Sequence, residues 1–225
     1  MSIKASIITI SNPNEVVADL SARLLSPDGK IKLLPAEEYK SIPPDHLRVW
    51  CIRTARYCIP TVELIDWLKK QIDGRSAIEV GAGNADLGYH LGIPSTDSYI
   101  QQAPAIVGLY QMTGQVPTNP PPDVRKMDAL SAINHFKPQV VIASWLTRKF
   151  IKGKDKEGKA EASIYGPEEE KILQRCKTYI HVGNTNVHSQ KTILSQPHTI
   201  YYMPWLVSRA EFPEKNVIWV WGKKI

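Results

Sequence analysis

The apolar positions of this chain change their period near residue 75. Before that point they recur at helical spacing; after it they gather into short runs separated by turn residues. In the first part, "SNPNEVVADLSARLLS" (11–26) predicts a helix. Asn12 can cap it, Pro13 suits its first turn, and Glu15 complements its positive end. "SPDG" (26–29) marks a turn, and the proline-bounded "IKLLPAEEYKSIPP" (31–44) reads as irregular. A second helix is predicted from Asp45 to Cys58, with Leu47, Trp50, Cys51, Thr54 and Cys58 on one face and Pro60 as its breaker. A third runs from Thr61 to Ile72, with Ile65, Leu68 and Ile72 on one side and Asp73-Gly74 as its stop.

In the second part the pattern alternates between strand and helix. "SAIEVG" (76–81) is a short buried strand, "ADLGYHLG" (85–92) a short helix, and "PSTDSYI" (94–100) an extended segment. "KMDAL" (126–130) is another, followed by a helix through Ile133. "PQVVIASWL" (138–146) is the strongest strand signal, "EEEKILQRC" a helix, and "KTYIHVGN" (177–184) a strand. "HTIYYMPW" and "NVIWVWG" close the series as two β-rich runs without an obvious helix between them. Such alternation implies parallel crossovers. The expected fold is therefore α/β: a doubly wound, mostly parallel, seven-stranded sheet with a C-terminal antiparallel β-hairpin. Residues 1–74 form an N-terminal helical extension or cap, and 75–225 the core.

Composition narrows the class. A length of 225 residues, 43% of them apolar, fits one sizeable core with an extension better than two independent domains. The longest apolar run is far short of a membrane span, and the polar start does not read as a secretory signal. A soluble, cytoplasmic protein without membrane association is expected. The three cysteines, Cys51, Cys58 and Cys176, match no zinc spacing and read as free thiols; no metal site is expected. A net charge of +6 is spread out, with one denser run, "TRKFIKGKDKEGK" (147–159). That run can be a solvated loop, a lid, or a guide for phosphates.

The chemistry concentrates in "AIEVGAGNADLG" (77–88). Glycines straight after a buried strand let backbone approach a ligand, and the helix that follows offers unpaired N–H groups. A dinucleotide site would read Gly-x-Gly-x-x-Gly. Here the third glycine is missing, and Asp86 puts negative charge where a pyrophosphate wants the opposite. No Gly-Lys-Ser/Thr follows, which removes a phosphate-loop nucleotidase. A ligand carrying both an ammonium and a carboxylate suits an acid beside helix N–H groups.

On these residues the stretch resembles the first motif of the class I, Rossmann-like S-adenosylmethionine-dependent methyltransferases, an acid followed by Gly-x-Gly-x-Gly. Glu79, Gly81 and Gly83 match, and Ala85 stands at the third glycine. The resemblance covers roughly 75–225 and implies S-adenosylmethionine as cofactor. It assigns Glu79, Gly81, Ala82, Gly83 and Asp86 to the methionine and loop region. Asp97 falls to the ribose hydroxyls, since a carboxylate can accept two of them. Asp128 and the Ala129 backbone fall to adenine, and Ser144 and Trp145, at the end of the fourth core strand, to the reacting centre. His188, in "HVGNTNVH" (181–188), is a candidate general base, whereas His181 reads as structural. Tyr57, Pro60 and Thr61 precede the core where related folds often cover the cofactor. "NPPP" (119–122) lacks the aromatic of an amino-directed DNA methyltransferase and reads as a proline linker.

The activity so implied is methyl transfer to an unknown acceptor, with a nucleic acid or small molecule favoured. A non-catalytic S-adenosylmethionine-binding module or partner subunit is the alternative. A nucleotide-dependent oxidoreductase is disfavoured by Asp86 and the missing glycine.

Overall fold

The computed structural model describes residues 17, 19–146 and 166–222. Residues 1–16 and 18, and with them the start of the first predicted helix, lie outside them; of that helix's described residues only α1 (Ser21–Leu24) is helical. The proline-bounded segment contains a short helix, α2 (Ala36–Lys40), and α3 follows at Pro44–Arg53. The helix expected to reach Cys58 therefore stops five residues early. Thr54 donates its hydroxyl to the Trp50 carbonyl, and Ala55 turns into the left-handed region at φ +54°. Cys58–Ile59 instead forms a strand, β1. Helix α4 (Val62–Ile72) is capped at Thr61, whose hydroxyl accepts the Leu64 N–H, and Asp73 ends it in a left-handed conformation.

The core then runs β2 (Ala77–Val80), α5 (Asp86–Leu91), β3 (Ser95–Asp97), α6 (Pro104–Met112), β4 (Arg125–Lys126), α7 (Ala129–Phe136) and β5 (Val140–Ser144). It continues with α8 (Glu169–Leu173), β6 (Thr178–Asn184), α9 (Thr185–His188), β7 (His198–Tyr201), β8 (Val207–Ser208) and β9 (Asn216–Gly222). Seven strands make one sheet in the order β4-β3-β2-β5-β6-β9-β7. The first five are parallel; β9 lies antiparallel to β6, and β7 antiparallel to β9. This is the expected α/β sheet with its antiparallel C-terminal pair. The pair is not a tight hairpin, because the chain between β7 and β9 leaves the sheet and places β8 antiparallel to β1.

Alternation along the strands sorts the core into two layers. Ala77, Val140, Ile142, Ile180 and Val182 face α4 and α5 on one side. Ile78, Val80, Val141, Tyr179 and Trp219 face α7 and α8 on the other. The sheet is thus covered on both faces. The extension has its own cluster around Leu24, Ile31, Trp50, Cys51 and Ile59. Helix α4, which the sequence groups with the extension, packs on the sheet. All three cysteines are free thiols. No described helix is long and apolar enough to cross a membrane.

Candidate functional site

The strand order reverses between β2 and β5, and open α/β sheets bind ligands outside the carboxyl ends of the strands at such a point. Two cavities, of about 100 and about 330 Å³, lie there. They share Gly81, Asp97, Gln101 and Trp145 in their walls and so form one two-lobed cleft.

The turn after β2 forms the floor. Gly81 and Gly83 adopt φ of +63° and +54°, and Ala85, where a third glycine was missing, takes +56°. Beneath the turn lies Glu79, 2% exposed. Its Oε2 accepts the Gly88 N–H at 2.9 Å and the Ser95 hydroxyl at 3.0 Å. Burial pushes its carboxyl up to about 7, against those hydrogen bonds. Gly88 is a functional position that the sequence reading passed over. A Cβ there would stand 1.9 Å from Ser95 Oγ and 2.7 Å from Glu79 Oε2, so only glycine lets the three groups meet. The visible signal was its place one turn into a helix that follows a glycine loop.

Asp86 lines the smaller lobe, but its carboxylate faces protein. Oδ1 accepts the Ile31 N–H at 3.1 Å, and Oδ2 pairs with Arg56 Nε at 3.1 Å. Burial raises its pKa and the Arg56 charge opposes that rise. Arg56 also donates to the Gly29 carbonyl, Lys30 to the Asn84 carbonyl, and Asn84 to the Thr54 and Ala55 carbonyls. Asp86 is therefore the bolt between extension and glycine turn. Tyr57, from the extension, lines the same lobe and shares a hydroxyl hydrogen bond with Tyr110 of α6 at 2.7 Å. Pro60 and Thr61 are buried away from it, Thr61 as the cap of α4.

Asp97 stands where the lobes meet. Its Oδ2 accepts the Gly83 N–H at 2.9 Å and its Oδ1 the Tyr99 N–H at 2.7 Å, which leaves lone pairs on both oxygens. The larger lobe continues to Met127, Asp128, Ala129 and Leu130. Asp128 caps α7, accepting the Leu130 and Ser131 N–H groups at 3.0 Å. The Ser131 hydroxyl and N–H hold its carboxyl below the usual range. It caps a helix and lines the lobe at once.

At the end of β5, Ser144 and Trp145 line the cleft. The Ser144 hydroxyl lies against the Cys58 thiol, which burial pushes up to about 12, and neither Ser144 Oγ nor Trp145 Nε1 has another partner among the described residues. Trp145 sits at φ +54°, an outlier for so bulky a residue. His188 is the correction. It lines neither lobe, stands behind Trp145 at a ring separation of 5.3 Å, and takes the Asn184 N–H on Nδ1. Burial, helped by the Lys191 charge, lowers it to about 3. A buried, neutral imidazole one side chain away from the cleft is not a general base for it. His181, inside β6, is buried and lowered in the same way, as a structural residue. The basic run 147–159 lies outside the described residues. Among those described, no group of three or more His, Cys, Asp or Glu side chains is placed to hold a metal.

No protein-family model matches the chain, and no curated protein matches it. Solved structures do. A candidate methyltransferase complexed with SAH aligns at 12% identity and TM-score 0.36, covering 65% of this chain. This chain spans only 44% of that protein's length. Protein 1320 of Thermoplasma acidophilum aligns at 15% identity and TM-score 0.33, covering 79% of this chain and 94% of its own. A candidate RNA methyltransferase from Pyrococcus horikoshii aligns at 12% identity and TM-score 0.32, covering 72% and 83%.

Proposed function

We propose that this chain is an S-adenosylmethionine-dependent methyltransferase. The observation that carries the reading is the position of Asp97. Its carboxylate stands between a glycine turn and a lobe that ends at Asp128 and Ala129, both lobes opening onto it. That is the order a ribose between an amino-acid end and a base would need. The larger lobe, about 330 Å³, falls in the range of small-molecule pockets, roughly 300–1,000 Å³. Side-chain-free glycines at 81 and 83 suit a polar ligand held close to backbone.

In this reading the Gly81-Ala82-Gly83 turn, braced by Glu79, receives the methionine end, and Asp86 holds that turn in place through Arg56. Asp97 accepts the ribose hydroxyls, and Asp128 with Ala129 borders the adenine. When bound, the cofactor supplies a methyl already activated on a sulfonium. The protein then has to align an acceptor with it and exclude water, a contribution of roughly 7–11 kcal/mol at most. Ser144 and Trp145, at the end of β5, border the acceptor, a nucleic acid or a small molecule. The carboxylates of the smaller lobe are engaged: Glu79 by Gly88 and Ser95, Asp86 by Arg56, Asp97 by backbone. An acceptor that is nucleophilic without losing a proton first fits best. The same engagement favours the second reading, a module that binds S-adenosylmethionine without turnover.

Calorimetric titration with S-adenosylmethionine, S-adenosylhomocysteine and NAD tests the proposal. Micromolar binding of the first two is expected, lost in Gly81→Arg. Asp97→Ala should weaken both about 100-fold, the worth of two hydrogen bonds to a charged acceptor. Binding of NAD alone, or an unchanged affinity in Asp97→Ala, would sink it. A tritium-methyl screen of nucleic-acid and metabolite pools then separates turnover from binding.

A further inference from the structure

Behind the cleft lies a buried ion pair that the proposed chemistry does not use. The Lys191 ammonium is 1% exposed and the Glu169 carboxylate 4%, with Nζ 2.6 Å from Oε2. The Tyr179 hydroxyl donates to the other Glu169 oxygen at 2.7 Å. Lys191 Nζ also donates to the Leu146 carbonyl at 2.8 Å. A buried ion pair is weak evidence for stability, since apolar residues of similar volume often do as well; fixing one conformation is the better-attested use. The conformation at stake is next door. Trp145 precedes Leu146, sits at φ +54°, and is gripped on its other side by its own N–H, which donates to the Val182 carbonyl at 2.9 Å. Such a residue persists only where its surroundings over-determine it.

We propose that Lys191 is a positioning residue: seated on Glu169, it pins the Leu146 carbonyl and so holds Trp145 in its left-handed conformation at the junction of the two lobes. Further contacts define what it controls. The Trp145 ring packs on His188 at 5.3 Å and faces Tyr57 at 6.1 Å across the smaller lobe. Leu146 lines the larger lobe. Its Cδ1 stands 2.3 Å from where a Cβ on Gly81 would be, so a shift of Leu146 is felt at the glycine turn as well. Glu169 brings the other flank, because Glu168 and Lys171 beside it also line the larger lobe. One ammonium therefore ties the two walls of that lobe together.

The ligand part of this proposal rests on the S-adenosylmethionine reading; the backbone part does not. The test is Lys191→Met with Glu169→Gln in the full chain, which removes both charges of the Lys191–Glu169 pair. Three quantities are read: the melting transition, the affinity for S-adenosylhomocysteine, and the strong HN–Hα nuclear Overhauser effect within Trp145 that a positive φ produces. Expected are a cooperative melt, loss of that strong effect, and an affinity at least about tenfold weaker, as displaced site walls produce. A Trp145 effect that stays strong overturns the proposal whatever the affinity does. A changed Trp145 with unchanged affinity overturns the claim that this wall shapes the lobes. If the wild type binds no S-adenosylhomocysteine, the cofactor reading falls, and the Trp145 signal still decides the role of Lys191. Should the variant not fold, Lys191→Gln with Glu169→Gln keeps a hydrogen-bonded pair while falling short of the Leu146 carbonyl, and the same signal is read.

Discussion

The cleft is built on two turns at neighbouring strand ends, and they are made in opposite ways. After β2 the chain turns on Gly81 and Gly83, residues for which φ near +60° carries no penalty from a Cβ. After β5 it turns on Trp145, a residue that resists the same conformation, and tertiary contacts to Val182 and Lys191 impose it. The first turn is written locally; the second is written by residues 37 and 46 positions downstream. A cleft whose floor is intrinsic and whose wall is imposed can keep one side constant while the other is retuned from outside.

The contrast concerns backbone φ alone: the glycine turn needs no outside support for its conformation, but its seating against the extension rests on Asp86 and Arg56. Arg56→Met tests this, because it removes the partner of Asp86, 8% and 7% exposed respectively. Loss of one member of a buried pair costs about 3–5 kcal/mol. The lower end is expected here, since burial already raises the Asp86 pKa and a proton can replace the lost charge. Denaturant unfolding gives the number. A cost below about 1 kcal/mol would mean that the turn stands without the extension.

Next in size is a pH effect centred on Glu79. Its carboxyl sits near 7 in the fold against 4.5 when free. The native state then holds one more proton than the unfolded chain between those values. The Glu79 contribution is full below 4.5 and is lost as pH rises through about 7, a change of about 3 kcal/mol. His188 works in the other direction, with a pKa of about 3 in the fold against 6.5 when free. Its contribution is full above 6.5 and is lost as pH falls toward 3. Melting curves of wild type and Glu79→Gln should therefore converge at low pH and separate in favour of the variant toward pH 8 or so. His188→Asn, whose side-chain oxygen can accept the Asn184 N–H, should flatten the acid limb. Parallel curves for Glu79→Gln would show that the carboxyl titrates normally.

A smaller loss is expected from Gly88→Ala, about 2–3 kcal/mol from overpacking against Ser95 and Glu79. It sharpens the comparison because Gly88 supports the first turn by what it lacks. A melting temperature equal to the wild type would show that Ser95 and Glu79 move aside freely.

The same contrast explains what could be read from the sequence. The seven strands of the main sheet, their order of appearance and the glycine turn follow from short-range pattern, apolar runs and glycines after a strand; Asp97 and Asp128 are singled out by the resemblance to the methyltransferase motifs. What escaped is set by distant partners. The end of α3 escaped because Cys58–Ile59 pairs with Val207–Ser208, far along the chain. Helix α6 escaped because its exposed apolar residues, such as Met112 and Leu109, carry no amphipathic signature. His188 looked like a base because sequence gives its position near a strand end and not its burial behind Trp145. Lys191 and Glu169 gave no sign at all, being charged residues in polar surroundings that meet only in the fold.

The finest test lies at Ala85, where the first turn departs from glycine. Ala85 takes φ +56° and is 1% exposed. Replacing it with glycine relieves about 1–2 kcal/mol of left-handed strain. Against that stand a lost buried methyl, about 0.8 kcal/mol, and a more flexible unfolded chain, about 0.4–1 kcal/mol. The terms nearly cancel, so Ala85→Gly should unfold within about 1 kcal/mol of wild type and bind S-adenosylhomocysteine unchanged. Trp145→Gly relieves the same strain yet discards the ring that faces Tyr57, and should lose the acceptor wall. If Ala85→Gly were as damaging as Trp145→Gly, the turn after β2 would depend on a side chain as much as the turn after β5 does, and the distinction between a local floor and an imposed wall would be gone.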